Sequence, residues 1–160
     1  MVPPDQIANL KPSDLEKIIN SLSKNFGLPN LKELTIEANP GEFNLEKMHA
    51  FKSIGVNRVS FGFQSLNNEI LRSLSRWHSA EDCIISYKNA RKAGFKNINI
   101  DMIFGIPDHT INQWKRDLNR VVDLSPEHIS AYSLTVEKKN PLYGHCLLYT
   151  SPSPRDQRGS

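Results

Sequence analysis

Asp101 sits inside a run of apolar residues, Asn99-Ile100-Asp101-Met102-Ile103-Phe104, which Gly105-Ile106-Pro107 closes. A run of this kind reads as a short strand buried on both faces. A carboxylate inside such a strand is costly unless it is paired or meets a ligand. Other polar residues share its situation. Glu37 closes the run that begins at Leu31, Gln64 closes the run from Val56 to Phe63, and Ser133 and Thr135 lie near the end of the run that begins at His128. Arg76 follows the second run through a short helical stretch. Carboxylates accept hydrogen bonds from a ribose diol, and a guanidinium forks onto a carboxylate. Glu37, Gln64, Arg76 and Asp101 together therefore suit a zwitterionic ligand that carries hydroxyls. Each also has a plainer reading on its own: Glu37 as a solvated strand end, Gln64 as an amide that satisfies loop backbone, Arg76 as a surface ion-pair partner worth little, Asp101 as a cap or an arginine partner. His78 beside Trp77 reads as packing, and His109 as a loop residue.

The elements that must place these residues follow from periodicity and punctuation. The spacing of Leu15, Ile18, Ile19, Leu22 and Phe26 predicts a helix over 13–26, with Ser13 as N-cap and Gly27 as stop. A strand follows over 31–38, ending at the turn Asn39-Pro40-Gly41. Asn44 opens a helix bearing Leu45, Met48 and Phe51, which Gly55 ends before a strand over 56–63. A short helix spans about 67–75. Ser79 with Asp82, and Thr110 with Gln113, form two capping boxes. The first opens a helix that Gly94 ends; the second opens one bearing Ile111, Trp114, Leu118, Val121 and Val122. A fourth strand runs over 128–136. Alternating strands and helices of this length imply a parallel sheet with right-handed crossovers. In such sheets ligands bind beyond the carboxyl ends of the strands, where the residues above fall. Four strands are too few to close a barrel, so the sheet is expected to be open or to be part of a longer protein.

Composition excludes several classes. The chain has 160 residues, 38% hydrophobic and 23% charged, with a formal net charge of +3. That charge, without a basic run, does not point to nucleic acid. No apolar stretch reaches the roughly 20 residues that span a bilayer, and the first residues lack a signal-peptide pattern, so a cytoplasmic protein is expected. The two cysteines, Cys83 and Cys146, have no partner at metal-ligand spacing. No Ser-His-Asp arrangement or phosphate-cradling glycine loop is evident, and no residue is assigned a catalytic or metal-binding role.

Three segments, in order, carry a resemblance: Thr35-Ile36-Glu37-Ala38-Asn39-Pro40-Gly41, Gly55-Val56-Asn57-Arg58-Val59-Ser60-Phe61-Gly62-Phe63-Gln64-Ser65, and Asn99 to Pro107. They are similar to the oxygen-independent coproporphyrinogen III oxidase family of radical S-adenosylmethionine proteins, over about Val2 to Gly144. Leu74-Ser75-Arg76-Trp77-His78 and Ser133-Leu134-Thr135-Val136-Glu137 resemble its haem chaperone branch more than the oxidases. The resemblance implies an α/β fold, a partial (βα)6 barrel of which this chain supplies the last four βα units as an open parallel sheet with helices outside. It implies S-adenosylmethionine as cofactor, with Glu37 at the position that contacts the ribose and Gln64, Arg76 and Asp101 at further contact positions. It also implies a 4Fe–4S cluster, haem or a porphyrinogen as further ligand, and haem-accepting proteins as partners; the alternative is the oxidase itself.

The sequence departs from that family in three respects. The CxxxCxxC loop that holds the cluster is absent, as are the Gly-Gly-Gly-Thr-Pro strand end and the chaperones' C-terminal domain. The chain is therefore expected to be an internal fragment without catalytic activity of its own, with the barrel portion over 1–145. Residues 146–160, with Ser151-Pro152-Ser153-Pro154, resemble adapter read-through and are expected to be a disordered, non-native tail.

Overall fold

The structure, a computed structural model, describes residues 11–26 and 31–135. In chain order the elements are α1 (Pro12–Phe26), β1 (Thr35–Ala38), α2 (Leu45–Ser53), β2 (Arg58–Gln64), α3 (Asn68–Ser73), α4 (Ala80–Lys92), β3 (Ile98–Phe104), α5 (Ile111–Asp123) and β4 (His128–Ser133). The strands form one parallel sheet in the order β1-β2-β3-β4. Gly27, Val136 and the segment 146–160 lie outside the described residues.

The two capping boxes form as the spacing requires, Ser79 with Asp82 at α4 and Thr110 with Gln113 at α5. Three helices end in the same closing pattern. At α2 the Gly55 amide bonds the Lys52 carbonyl and the Val56 amide bonds that of Phe51; at α4 the amides of Gly94 and Phe95 repeat it on Arg91 and Ala90. These paired bonds define a Schellman cap, which needs a left-handed residue at its centre, and Gly55 and Gly94 have φ of +103° and +89°. At α3 the central residue is Ser75, with φ +56°.

Several boundaries differ from the sequence expectation. α1 begins at Pro12, because the amides of Asp14 and Leu15 both reach the Lys11 carbonyl; Lys11 is the cap, proline takes the first helical position, and Ser13 lies inside. β1 begins at Thr35 rather than Leu31. The Asn57 side chain takes the Leu34 amide at 2.9 Å and the Lys32 carbonyl at 2.8 Å, so these two backbone groups bond a side chain and the regular ladder starts after them. β2 begins at Arg58 because Val56 is used by the α2 cap.

The sheet has one apolar and one polar face; β3 is buried on both over Ile98, Asn99 and Ile100, as its sequence suggests, and opens only from Asp101 onward, with Phe104 exposed. Ile36, Ala38, Val59, Phe61, Phe63, Ile98, Ile100 and Met102 are buried and pack with Phe43, Met48 and Phe51 around α2, with Cys83, Tyr87 and Ala90 of α4, and with Val121 of α5. The alternating positions are polar. The register sets Glu37 beside Ser60, Ser60 beside Asn99, and Asp101 between Gly62 and Ser130. Period-two alternation places these on the opposite face. The helices cover the apolar face, so the polar one is left for a ligand. Ile111 and Val122, expected on the buried side of α5, are instead 64% and 54% exposed, because that helix turns Trp114, Asp117, Leu118 and Val121 inward.

Candidate functional site

Glu37, Gln64, Arg76 and Asp101 line one cavity of about 150 Å³, together with Ala38, Asn39, Ser60 and Gly62. Ser133 and Thr135, the other strand-end candidates, do not line it. The cavity sits on the polar face, toward the carboxyl ends of β1, β2 and β3.

Each side chain is placed by a local device. Glu37 stands near the end of β1 and is exposed. Asp101 is half-buried and held from two sides: the Ser60 hydroxyl donates to one carboxylate oxygen at 2.8 Å, and the Asn99 amide donates to the other at 2.8 Å. Asn99 also donates to Ser60 at 2.7 Å, and its carbonyl oxygen meets His128 and the Ser130 hydroxyl. This network fixes the Asp101 carboxylate by two hydrogen bonds, which answers the cost of burying a polar group in the strand.

Gln64 follows a register slip, so that Gly62 pairs with Asp101 while Gln64 pairs with Met102. Its backbone is left-handed, φ +60°. Its side chain folds back over Gly62, where a Cβ would meet the Gln64 amide and displace it. Gln64 is buried, and its Oε1 has no hydrogen-bond partner. Irregular ladders and left-handed non-glycine residues concentrate at functional sites.

Arg76 is set by the Schellman cap of α3: its amide bonds the Leu71 carbonyl at 2.9 Å, one residue beyond left-handed Ser75. The guanidinium is half-buried, and no carboxylate among the described residues pairs with it. Burial lowers its pKa from the ordinary value, yet an arginine stays charged at neutral pH. Arg76 also lines a neighbouring cavity of about 270 Å³ with Asn68, Arg72, Trp77, His78 and Ser79. His78 is buried, its Nε2 3.5 Å from the Phe63 carbonyl, and Trp77 is exposed. Burial, foremost, pushes the His78 imidazole pKa down. His109 lies in the loop before α5, as its position implies, but with its ring buried 3.6 Å from Asp117.

The sequence reading missed Ser60, Asn99 and Asn39. A signal was present: Arg58, Ser60, Gly62 and Gln64 alternate with Val59, Phe61 and Phe63, the pattern of a strand with one wet face.

A half-buried cation without a carboxylate partner among the described residues, an amide oxygen without a partner and two carboxylates fit the carboxylate, amino and hydroxyl groups of S-adenosylmethionine. At 150 Å³ the cavity is smaller than the roughly 300–1,000 Å³ that encloses a whole small molecule, so it matches part of such a ligand. The described residues do not fit an iron–sulfur cluster. None group three or more His, Cys, Asp or Glu side chains as a metal site, and burial pushes the Cys83 thiol pKa far up, away from the thiolate that iron requires. No described helix is long and apolar enough to cross a membrane.

Comparison with known proteins places the chain among radical SAM relatives. The chain is 40% identical to the heme chaperone HemW of Bacillus subtilis over 114 residues, 71% of this chain and 30% of that protein. It is 33% identical to the mitochondrial radical S-adenosyl methionine domain-containing protein 1 of Danio rerio over 133 residues, 83% of this chain and 30% of that one. Among solved structures, coproporphyrinogen III oxidase (HemN) from Escherichia coli, a radical SAM enzyme, superposes with a TM-score of 0.73 at 28% identity, covering 91% of this chain and 34% of the oxidase. The chain thus spans about a third of the length of the relatives it matches. The superfamily implies S-adenosylmethionine and a 4Fe–4S cluster as cofactors. The Radical SAM superfamily model matches residues 8–121, and with most of its length inside that match the chain belongs to the radical SAM superfamily.

Proposed function

We propose that the cavity binds S-adenosylmethionine and that the protein is a haem chaperone, which binds haem and passes it to acceptor proteins in the cytoplasm. The convergence of Glu37, Gln64, Arg76 and Asp101 on one cavity carries the first part. Glu37 accepts from the ribose hydroxyls, Arg76 holds the ligand's carboxylate, and Gln64 and Asp101 take its remaining polar groups. The second part rests on the chaperone names of the relatives. S-adenosylmethionine bound to a reduced cluster is a source of radicals; the described residues bind and orient the nucleoside, and no cluster ligand is found among them.

A titration with S-adenosylhomocysteine, which is inert to reduction, tests the site. Glu37→Ala and Asp101→Ala should each weaken binding by about tenfold, the worth of one or two hydrogen bonds to a charged group; unchanged affinity in both variants would dismiss the assignment. The structural likeness to coproporphyrinogen III oxidase favours a second reading, decarboxylation of porphyrinogen propionates. Stoichiometric haem uptake followed by transfer to an apo-haem protein supports the chaperone, whereas loss of carbon dioxide from coproporphyrinogen III supports the oxidase.

A further inference from the structure

We infer that Asp117 of α5 is a positioning residue for Gln64, an assignment that rests on the reading of the cavity given above. Asp117 does not line that cavity. It is nonetheless 4% exposed, on the inward side of an amphipathic helix between Trp114 and Val121, where packing alone would favour an apolar side chain.

Its bonds go to the two residues after Gln64. One carboxylate oxygen accepts the Ser65 hydroxyl at 2.5 Å and the Leu66 amide at 2.9 Å. One turn further along α5, Arg120 donates to the Leu66 carbonyl at 2.9 Å. The loop that leaves β2 is thereby clamped at amide, carbonyl and hydroxyl.

Gln64 needs such a clamp. The Ser65 amide bonds the Phe63 carbonyl at 2.7 Å, closing a three-residue turn around Gln64 with φ +60°. Turns of this hand are rare and strained. A strained residue persists only where its surroundings over-determine it. Phe63, fully buried, anchors one side of the turn; Asp117 anchors the other through Ser65, also fully buried. Hydrogen bonds to a carboxylate away from water are among the stronger ones a protein makes. Released from Asp117, Ser65 and Leu66 would let Gln64 relax to ordinary backbone angles and withdraw its amide from above Gly62.

Coupling separates this role from a merely structural one. Affinity for S-adenosylhomocysteine is measured by calorimetry on the full chain and on Gln64→Ala, Asp117→Ala and the double variant. Ser65→Ala serves as a milder release that leaves the carboxylate in place, and circular dichroism confirms folding. The expected result is a loss of about tenfold for Gln64→Ala and for Asp117→Ala, a smaller loss for Ser65→Ala, and a double variant no weaker than Gln64→Ala alone. Losses that multiply in the double variant would overturn the positioning role while leaving the cavity assignment standing, as would full affinity in both Asp117→Ala and Ser65→Ala. Full affinity in Gln64→Ala would instead remove Gln64 from the ligand site, and the inference with it.

Discussion

Replacing Arg76 with alanine is expected to weaken S-adenosylhomocysteine binding by about 10–100-fold, the largest effect of any single change in the cavity. The guanidinium is half-buried without a carboxylate partner among the described residues, and burial already works against its charge. A ligand carboxylate would be its counterion, and such charge-assisted bonds are worth roughly 1.5–3 kcal/mol. Folding should be little affected, because the cap that places Arg76 uses its backbone amide and not its side chain. Arg76→Lys should recover only part of the affinity, since an ammonium cannot fork onto a carboxylate. Calorimetric titration of the two variants reads this directly. Equal affinity for alanine and arginine at position 76 would mean that the ligand carboxylate lies elsewhere.

The largest expected effect on stability lies on the other face of the sheet. Phe61 is fully buried, paired in register with Ala38 on one side and Ile100 on the other, and its ring centroid lies 6.2 Å from that of Phe63. Phe61→Ala should cost about 3–5 kcal/mol, the transfer of the ring to water plus the cavity it leaves. Against a total of roughly 5–15 kcal/mol for a domain, that is enough to unfold much of the population at moderate denaturant. Urea unfolding followed by circular dichroism provides the test. A cost below about 1 kcal/mol would mean that the helices do not close over the apolar face as described.

What the sequence disclosed, and what it withheld, follows from how local each interaction is. The capping boxes at Ser79 and Thr110 and the helix stops at Gly55 and Gly94 depend on residues five or fewer apart, and they form where the sequence places them. The parallel order of the strands was legible for the same reason: alternating strand and helix periods leave few topologies. The gathering of Glu37, Gln64, Arg76 and Asp101 was legible because Glu37 and Gln64 stand at or near strand ends, Arg76 follows one, and Asp101 breaks the apolar run of another. The two-faced character of β3 was not, because Ile103 and Phe104 continue the apolar run past Asp101 and hide its alternation with Asn99.

Long-range side-chain bonds were the least visible. Asn57 shortens β1 by reaching residues 23 and 25 positions away, and no local pattern announces it. Asp117 reaches Ser65 across 52 positions. Its one local signature is an acid on the inward stripe of α5 between Trp114 and Val121, which is easily passed over as one more charge on an amphipathic helix. Arg76 was recognisable by type, but its placement by a Schellman cap centred on Ser75 was not, since serine is an unusual residue for the left-handed position.

The most direct test of the account is a crystal structure of the protein with S-adenosylhomocysteine. The ribose hydroxyls are expected on Glu37, the carboxylate on Arg76, and Gln64 and Asp101 within hydrogen-bond distance of the same molecule. A nucleoside bound away from these four side chains, with Arg76 still unpaired, would contradict it.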